Sequence, residues 1–518
     1  EDEHYINILN VGDEALLARI HLIRAAQKAV YIQTFIWADD ETGRLVIKEL
    51  VEAAKRGVKV KILVDYLTLG RKLDNIAYLA TAHPNIEFKI YNPIAQQIRP
   101  SALNLIKGYG LDFKKTNRRM HNKIFVVDDR IGITGGRNIE NDYYDRGSAR
   151  NFKDRDVLVA GPAVKVMTDS FIDYWNFKLS VAADDMVDLH RLIEEETKRQ
   201  AGQEKDFRLG EIFDDLGICA SDNACVRKTL VNAGFYVAGK VTFVYDKPGK
   251  SERIGKYKVT AVSDSVLSLL EGAENSVVMQ TPYLIVQRKW SSVFRRIRRD
   301  HPGMEILVSS NSLAAADHVH AYAFSFKNKK KYVKHFKWRI FEFKPAPRDA
   351  DRMIKLILAV KRAATYYACI HAKSYIFDDK IAWIGSFNLD PRSKNLNTEV
   401  GLVIYDEKVA QELKKDILRD MAPLNSWTIG KRKEIPVVSR VSGSIDDIME
   451  AVPLIHVWPF DYASSFELKE GKEEVPFYHE DFYDHYRDVG IFPQMRLSAA
   501  EIKTRLLKSF FGVMEGLM

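Results

Sequence analysis

With 518 residues, 46% of them hydrophobic and 29% charged, the chain is too long for one ordinary core and implies two domains or two halves of a double domain. No run of about eighteen uncharged apolar residues is available to span a bilayer, and three cysteines, Cys219, Cys225 and Cys369, exclude a disulfide framework and a cysteine-rich zinc module. A formal charge of +8 favours anionic partners, nucleic acid or acidic lipid, without deciding between them.

In chain order, apolar residues at helical spacing from Glu14 to Ala29 predict a helix, and Val30 to Trp37 reads as a buried strand. Gly43 to Lys55 predicts a second helix, closed by Arg56-Gly57, and Val58 to Asp65 alternates as a strand. This is the grammar of a mostly parallel sheet with helices on its faces. Residues 185–255, rich in Glu, Lys, Asp and Gly, read as a linker or insertion. Within them Cys219 and Cys225 are close enough for a small disulfide in an oxidising compartment, and two reduced thiols fit equally well. The opening residue is Glu1, which is compatible with a leader removed by processing.

The same order then returns. A helix is expected from Ser265 to Glu274, a strand from Ser276 to Tyr283, a basic helix through Arg299 and a strand from Glu305 to Val308. Gln33 precedes His121 by 88 residues and Gln280 precedes His371 by 91, which argues for internal duplication. Beyond about residue 430 the repeat stops, and Ser498 to Leu517 carries a capping box and one apolar face, suited to docking on its own protein or lying on lipid. The expected layout is a first half over 1–184, a linker over 185–255, a second half over 256–430 and an appendage over 431–518. Two basic stretches, Arg288 to Arg299 and Lys327 to Arg339, interleave cations with aromatics; solvated helix faces explain them as well as attraction to headgroups or nucleic acid does.

The strongest signal is one word written twice. His121-Asn122-Lys123 is followed by Asp128, and His371-Ala372-Lys373 by Asp378; Gly135 and Asn138 lie 14 and 17 residues past His121, as Gly385 and Asn388 do past His371. On a strand, residues two apart share a face, so each histidine travels with its lysine. A phosphodiester repels nucleophiles and has a poor leaving group. Two such units supply a neutral nucleophile, a proton donor and cations: one imidazole attacks phosphorus while the other moves the proton of the leaving and incoming oxygens. Lys123, Lys373, Asn138 and Asn388 are suited to the non-bridging oxygens. Asp128 and Asp378 are candidates to orient an imidazole, with turn formation as the plain alternative. Gly135 and Gly136 would let backbone approach the phosphate. Asp156 and Glu399 read as rough counterparts after the motifs. His318 and His320 lack an obvious third ligand, so no metal site is expected.

The paired segments around His121 and His371 resemble the signature of the phospholipase D superfamily. Arg118 to Lys123, Gly135-Gly136-Arg137-Asn138-Ile139, Asn311 to Ala315, and Gly385-Ser386-Phe387-Asn388 to Ser393 resemble bacterial cardiolipin synthases of the phospholipase D type, over about residues 10 to 410. The resemblance implies two α/β repeats packed as a pseudo-dimer, one active site between them, no metal or other cofactor, and phosphatidyl transfer through a phosphohistidine. It implies His121 as nucleophile, His371 as acid and base, and Gly135, Gly136, Asn138, Ser386 and Asn388 around the phosphate, with Asp156 and Glu399 in support. The implied partners are phospholipids at an anionic surface rather than nucleic acid, with no oligomer required, and the implied location is peripheral on a bacterial inner membrane, the periplasmic face being one option. Residues 185–255 and 430–518 depart from the family pattern. Rival readings are a hydrolytic phospholipase D releasing phosphatidic acid, a nuclease, and a non-enzymatic lipid-binding scaffold.

Overall fold

The computed structural model describes residues 3–69, 73–100, 116–199, 207, 209–231, 234–250, 260–349, 367–433 and 462–494. Its strands in chain order are β1 His4–Leu9, β2 Ala29–Thr34, β3 Lys59–Asp65, β4 Ile86–Tyr91, β5 Ile124–Val127, β6 Ile131–Gly135, β7 Arg150–Lys153, β8 Asp156–Ala160 and β9 Ser180–Ala182. They continue as β10 Tyr236–Ala238, β11 Lys240–Tyr245, β12 Ser276–Gln280, β13 Glu305–Asn311, β14 Arg339–Phe343, β15 Tyr367–Ile370, β16 Lys373–Phe377, β17 Ile381–Gly385, β18 Val400–Tyr405, β19 Ser426–Lys431, β20 Ala463–Leu468 and β21 Tyr486–Gly490. One sheet runs β10-β1-β8-β6-β5-β2-β3-β4-β9 and the other β11-β18-β17-β16-β12-β13-β14-β19-β20-β21. The central orders β8-β6-β5-β2-β3-β4 and β18-β17-β16-β12-β13-β14 are the same arrangement built twice.

Parallel pairing is narrower than the expected mostly parallel sheet. It holds within the sheets for β2-β3-β4 and β12-β13-β14, while β5 and β16 run antiparallel to β2 and β12. Two tight turns add further antiparallel pairs. Asp128 and Asp129 have φ of 54° and 57°, and Asp378 and Asp379 have 52° and 58°, the left-handed pair of a hairpin turn that aspartate tolerates. These hairpins return β6 and β17 alongside β5 and β16.

Asp128 does further work at this turn. Its carboxylate accepts the N–H groups of Gln27, Lys28 and Ala29 at 2.9, 2.7 and 2.9 Å, and Asp378 accepts those of Glu274, Asn275 and Ser276 at 2.9, 2.7 and 2.9 Å. Both carboxyls are held below their ordinary range, because burial, which would raise them, is outweighed by these N–H donors. Each aspartate therefore caps the loop that enters the central strand of its sheet. The expectation that they orient an imidazole is corrected here: five residues of extended chain separate each from its lysine, about 16 Å at ~3.3 Å per residue.

The helices follow from local signals. Glu41–Lys55 is capped by Asp40, whose side chain accepts Gly43 N–H, and ends at Gly57 with φ of 96°. The helix Arg288–Asp300 buries Trp290, Val293, Phe294 and Ile297, and its last basic turn leads to the end of the second sheet where β13 and β14 begin, away from the end carrying His371. Two helices, Ala163–Trp175 and Glu407–Met421, share a core between the sheets: Val126, Val159 and Met167 pack in one cluster with Ile384, Leu402, Leu413 and Ile417.

Residues 185–255, expected as a linker or insertion, contain the helices Val187–Arg199 and Glu211–Ser221, and β10 and β11 add an edge strand to each sheet. Cys219 and Cys225 are joined as a disulfide, with Cα atoms 5.3 Å apart. The expected appendage likewise supplies β20 and β21 to the second sheet, while the amphipathic segment Ser498 to Leu517 lies outside the described residues. Replacing Asp128 or Asp378 with Ala is expected to lower the unfolding free energy by about 1–3 kcal/mol, the scale of lost hydrogen bonds to a charged acceptor. Urea denaturation checks this, and an unchanged midpoint would contradict the capping role.

Candidate active site

Each histidine stands just past backbone that pairs with the other half of the chain. β15 lies parallel to β7, and His371 N–H donates to Lys153 O at 2.8 Å. Met120 bridges Thr398, and His121 N–H donates to Thr398 O at 3.0 Å. Both approaches are pinned from within their own half. Asp65 accepts Met120 N–H at 2.9 Å and pairs with Arg119, while Asn311 accepts Ile370 N–H and donates to Ile370 O, both at 2.8 Å.

This pairing puts the carboxylates of one half on the imidazoles of the other. His121 Nδ1 lies 2.8 Å from Glu399 Oε2, and His371 Nδ1 lies 2.6 Å from Asp154 Oδ2. An ionised carboxylate on Nδ1 fixes the tautomer with Nε2 unprotonated. Ser386 donates from its hydroxyl to the same Glu399 oxygen at 2.5 Å. At the matching place in the first half a Cβ on Gly136 would stand 2.1 Å from Asp154 Oδ1, so the residue must be bare.

Lys123 Nζ donates to His121 O at 2.8 Å, and Lys373 Nζ lies 2.7 and 3.0 Å from the two ring nitrogens of His371. All four side chains are almost wholly buried. Burial, helped by the neighbouring lysines and opposed by the paired carboxylates, lowers both imidazoles to about 4, so they are neutral near pH 7. Burial and then the charge of Lys373 lower Lys123 to about 7. Glu399 and Asp154 stay ionised: burial would raise them, but the imidazole and lysine partners outweigh it. The field of Lys373 reaches His121 and Lys123, so the two words from distant stretches face one site.

Asn138 accepts Ile36 N–H at 3.1 Å, and Asn388 leaves its buried Oδ1 without a partner. Phe35 packs edge-on to His121, with Tyr143 and Phe152 against His371. Gly135 is close-packed on Asp156 and Arg155 and Gly385 on Val400 and Gly401, so their bareness serves strand packing beside the carboxylates. Asp156 does not touch an imidazole. It is buried against Arg19 at 2.8 Å and Arg137 at 3.5 Å.

The first-half partner of Glu399 is Asp154, which sequence reasoning missed. Gly135 pairs with Asp156, and Gly385 pairs with Gly401; two residues back from each lie Asp154 and Glu399. Asp65 and Tyr143 carried no expected role, and Asn311 entered only as part of a resembling string. Among the described residues no group of three or more His, Cys, Asp and Glu side chains is arranged to hold a metal ion, and no helix is long and apolar enough to cross a membrane.

A family model described as cardiolipin synthase, PLD-like domain, matches residues 19–175 and again residues 266–421. The chain belongs to the phospholipase D-like family. Its similar relatives include cardiolipin synthase C of Escherichia coli K12, 31% identical over 409 residues, covering 78% of this chain and 82% of that protein. Cardiolipin synthase of Staphylococcus aureus Mu50 is 24% identical over 432 residues, covering 82% and 68%. The fold is shared with phosphatidylserine synthase of Haemophilus influenzae Rd KW20, at a TM-score of 0.52 and 16% identity over 80% of this chain and 86% of that one.

A lysine at about 7 beside an anionic substrate gives a pH signature. On a water-soluble phosphodiester, kcat/KM is expected to fall as pH rises through about 7 and Lys123 loses its charge. Lys123→Arg, which stays charged there, is expected to move that alkaline limb upward whatever it does to the maximum. A limb that stays at the same pH would contradict this role.

Proposed function

We propose that this protein is a phosphatidyltransferase that makes cardiolipin or a related bis-phosphatidyl lipid from phosphatidylglycerol and a second phospholipid. The observation carrying the reading is the crossed pairing: two buried imidazoles, each on a carboxylate of the opposite half and each with the lysine of its own motif against it. The relatives named cardiolipin synthase support the choice of product.

His121, neutral and with Nε2 free, attacks phosphorus, and the bond from phosphorus to the headgroup oxygen breaks. That oxygen takes the proton carried by His371, whose protonation is favoured by Asp154 and by the anionic diester once it is bound. The hydroxyl of the acceptor lipid then returns a proton to His371, its oxygen attacks the phosphohistidine, and the phosphorus–nitrogen bond breaks to restore neutral His121. Lys123 and Lys373 offset charge on the non-bridging oxygens, with Asn138 and Asn388 beside them. Burial of both imidazoles favours a lipid alcohol over water as acceptor. The enzyme works at an anionic membrane surface, and one chain supplies both motifs.

Incubation with mixed phosphatidylglycerol vesicles is expected to give a bis-phosphatidyl product, and His121→Ala and His371→Ala are each expected to abolish it while the fold is kept. Lipid analysis by mass spectrometry decides. Phosphatidic acid alone would replace transfer by hydrolysis, and near-normal turnover in either variant would remove the histidine roles.

A further inference from the structure

Asp317 follows β13 at the end of the second sheet that carries His371. Its side chain is 6% exposed. Oδ2 accepts the Tyr283 hydroxyl at 2.8 Å, with His318 Nε2 3.7 Å away. Oδ1 is buried and has no hydrogen-bond partner. The charge of Asp317 reaches His371 and Lys373, and also Tyr143, whose ring lies 5.1 Å from that of His371. Six residues past Asp65, the first-half match of Asn311, the sequence carries Arg71 where the second half carries Asp317.

A buried carboxylate oxygen without a donor is costly to keep. Beside a reacting group, its unmet capacity suits a donor brought by the substrate. The mechanism proposed above, on which this inference rests, places the alcohol portion of the diester on the His371 side of phosphorus, because His371 protonates the leaving oxygen and deprotonates the incoming one. We propose that Asp317 reads the headgroup: its free oxygen accepts a hydrogen bond from a hydroxyl or ammonium group of that alcohol, while Tyr283 holds its other oxygen. A headgroup without a donor leaves the oxygen unpaired and is disfavoured. Asp317 is thereby a specificity-determining residue rather than part of the proton-transfer pair.

The test compares the full chain with Asp317→Ala and Asp317→Asn on vesicles of phosphatidylglycerol, phosphatidylethanolamine or phosphatidylcholine, and on bis(p-nitrophenyl) phosphate, which has no headgroup donor. The readout is the ratio of kcat/KM for each lipid to that for the aryl diester. Structural damage lowers all rates together and leaves these ratios unmoved. In Asp317→Ala the ratio is expected to fall about tenfold or more for a donor-bearing lipid, the scale of a lost hydrogen bond to a charged group, and to hold for phosphatidylcholine. A fall on the glycerol lipid assigns a hydroxyl donor; a fall on the ethanolamine lipid, repeated in the isosteric Asp317→Asn, assigns an ammonium. Unchanged ratios in both variants overturn the inference while leaving the phosphodiester reading intact. A wild-type protein that cleaves none of the four substrates overturns that reading, and the inference with it.

Discussion

The imidazole of each repeated motif is held by a carboxylate from the opposite half of the chain, and this crossing commits the two halves to one another. Lys123, Lys373, Asp154 and Glu399 are four charges almost wholly removed from water. Such burial is tolerated only where charges are paired and hydrogen-bonded, and removing one partner of a buried pair typically costs about 3–5 kcal/mol. Pulled apart, each half would keep a histidine without its carboxylate and a carboxylate without its histidine. The apolar cluster shared by Val126, Val159, Ile384 and Leu402 supplies the non-directional part of the same union. The crossed pairs supply its register.

The duplication was legible because the chain repeats its functional residues at the same intervals, and because the central strands are short apolar runs between helices with clear caps. The partner of His371 was not legible. Asp154 lies 19 residues past Gly135, whereas Glu399 lies 14 past Gly385, and the longer first-half loop hides the match until β6-β8 and β17-β18 are laid side by side. One partner is also a methylene shorter, a difference absorbed by Gly136 against Ser386. Asp156 looked equivalent because it too precedes an apolar run, but it faces Arg19. Asp128 and Asp378 drew attention as the last letter of the repeated word. Their position at the far strand end, readable from the rise of an extended chain, already separates them from chemistry.

The edges of the sheets were the least legible part. β10 and β11 are short and polar in part, and they become strands only through backbone pairing with β1 and β18, whose sequence positions are remote. No local pattern announces a partner so far away in the chain. Such edge additions surround the doubled core without changing the site between its halves.

The account stands or falls on two histidines serving one phosphorus atom. A crystal structure of the protein soaked with orthovanadate tests this directly. The account predicts a single vanadium per chain, bonded to Nε2 of one histidine and carrying on its opposite side an oxygen within hydrogen-bond distance of the other, with Lys123 and Lys373 on its remaining oxygens. Two vanadate ions bound separately, one at each histidine, would contradict it.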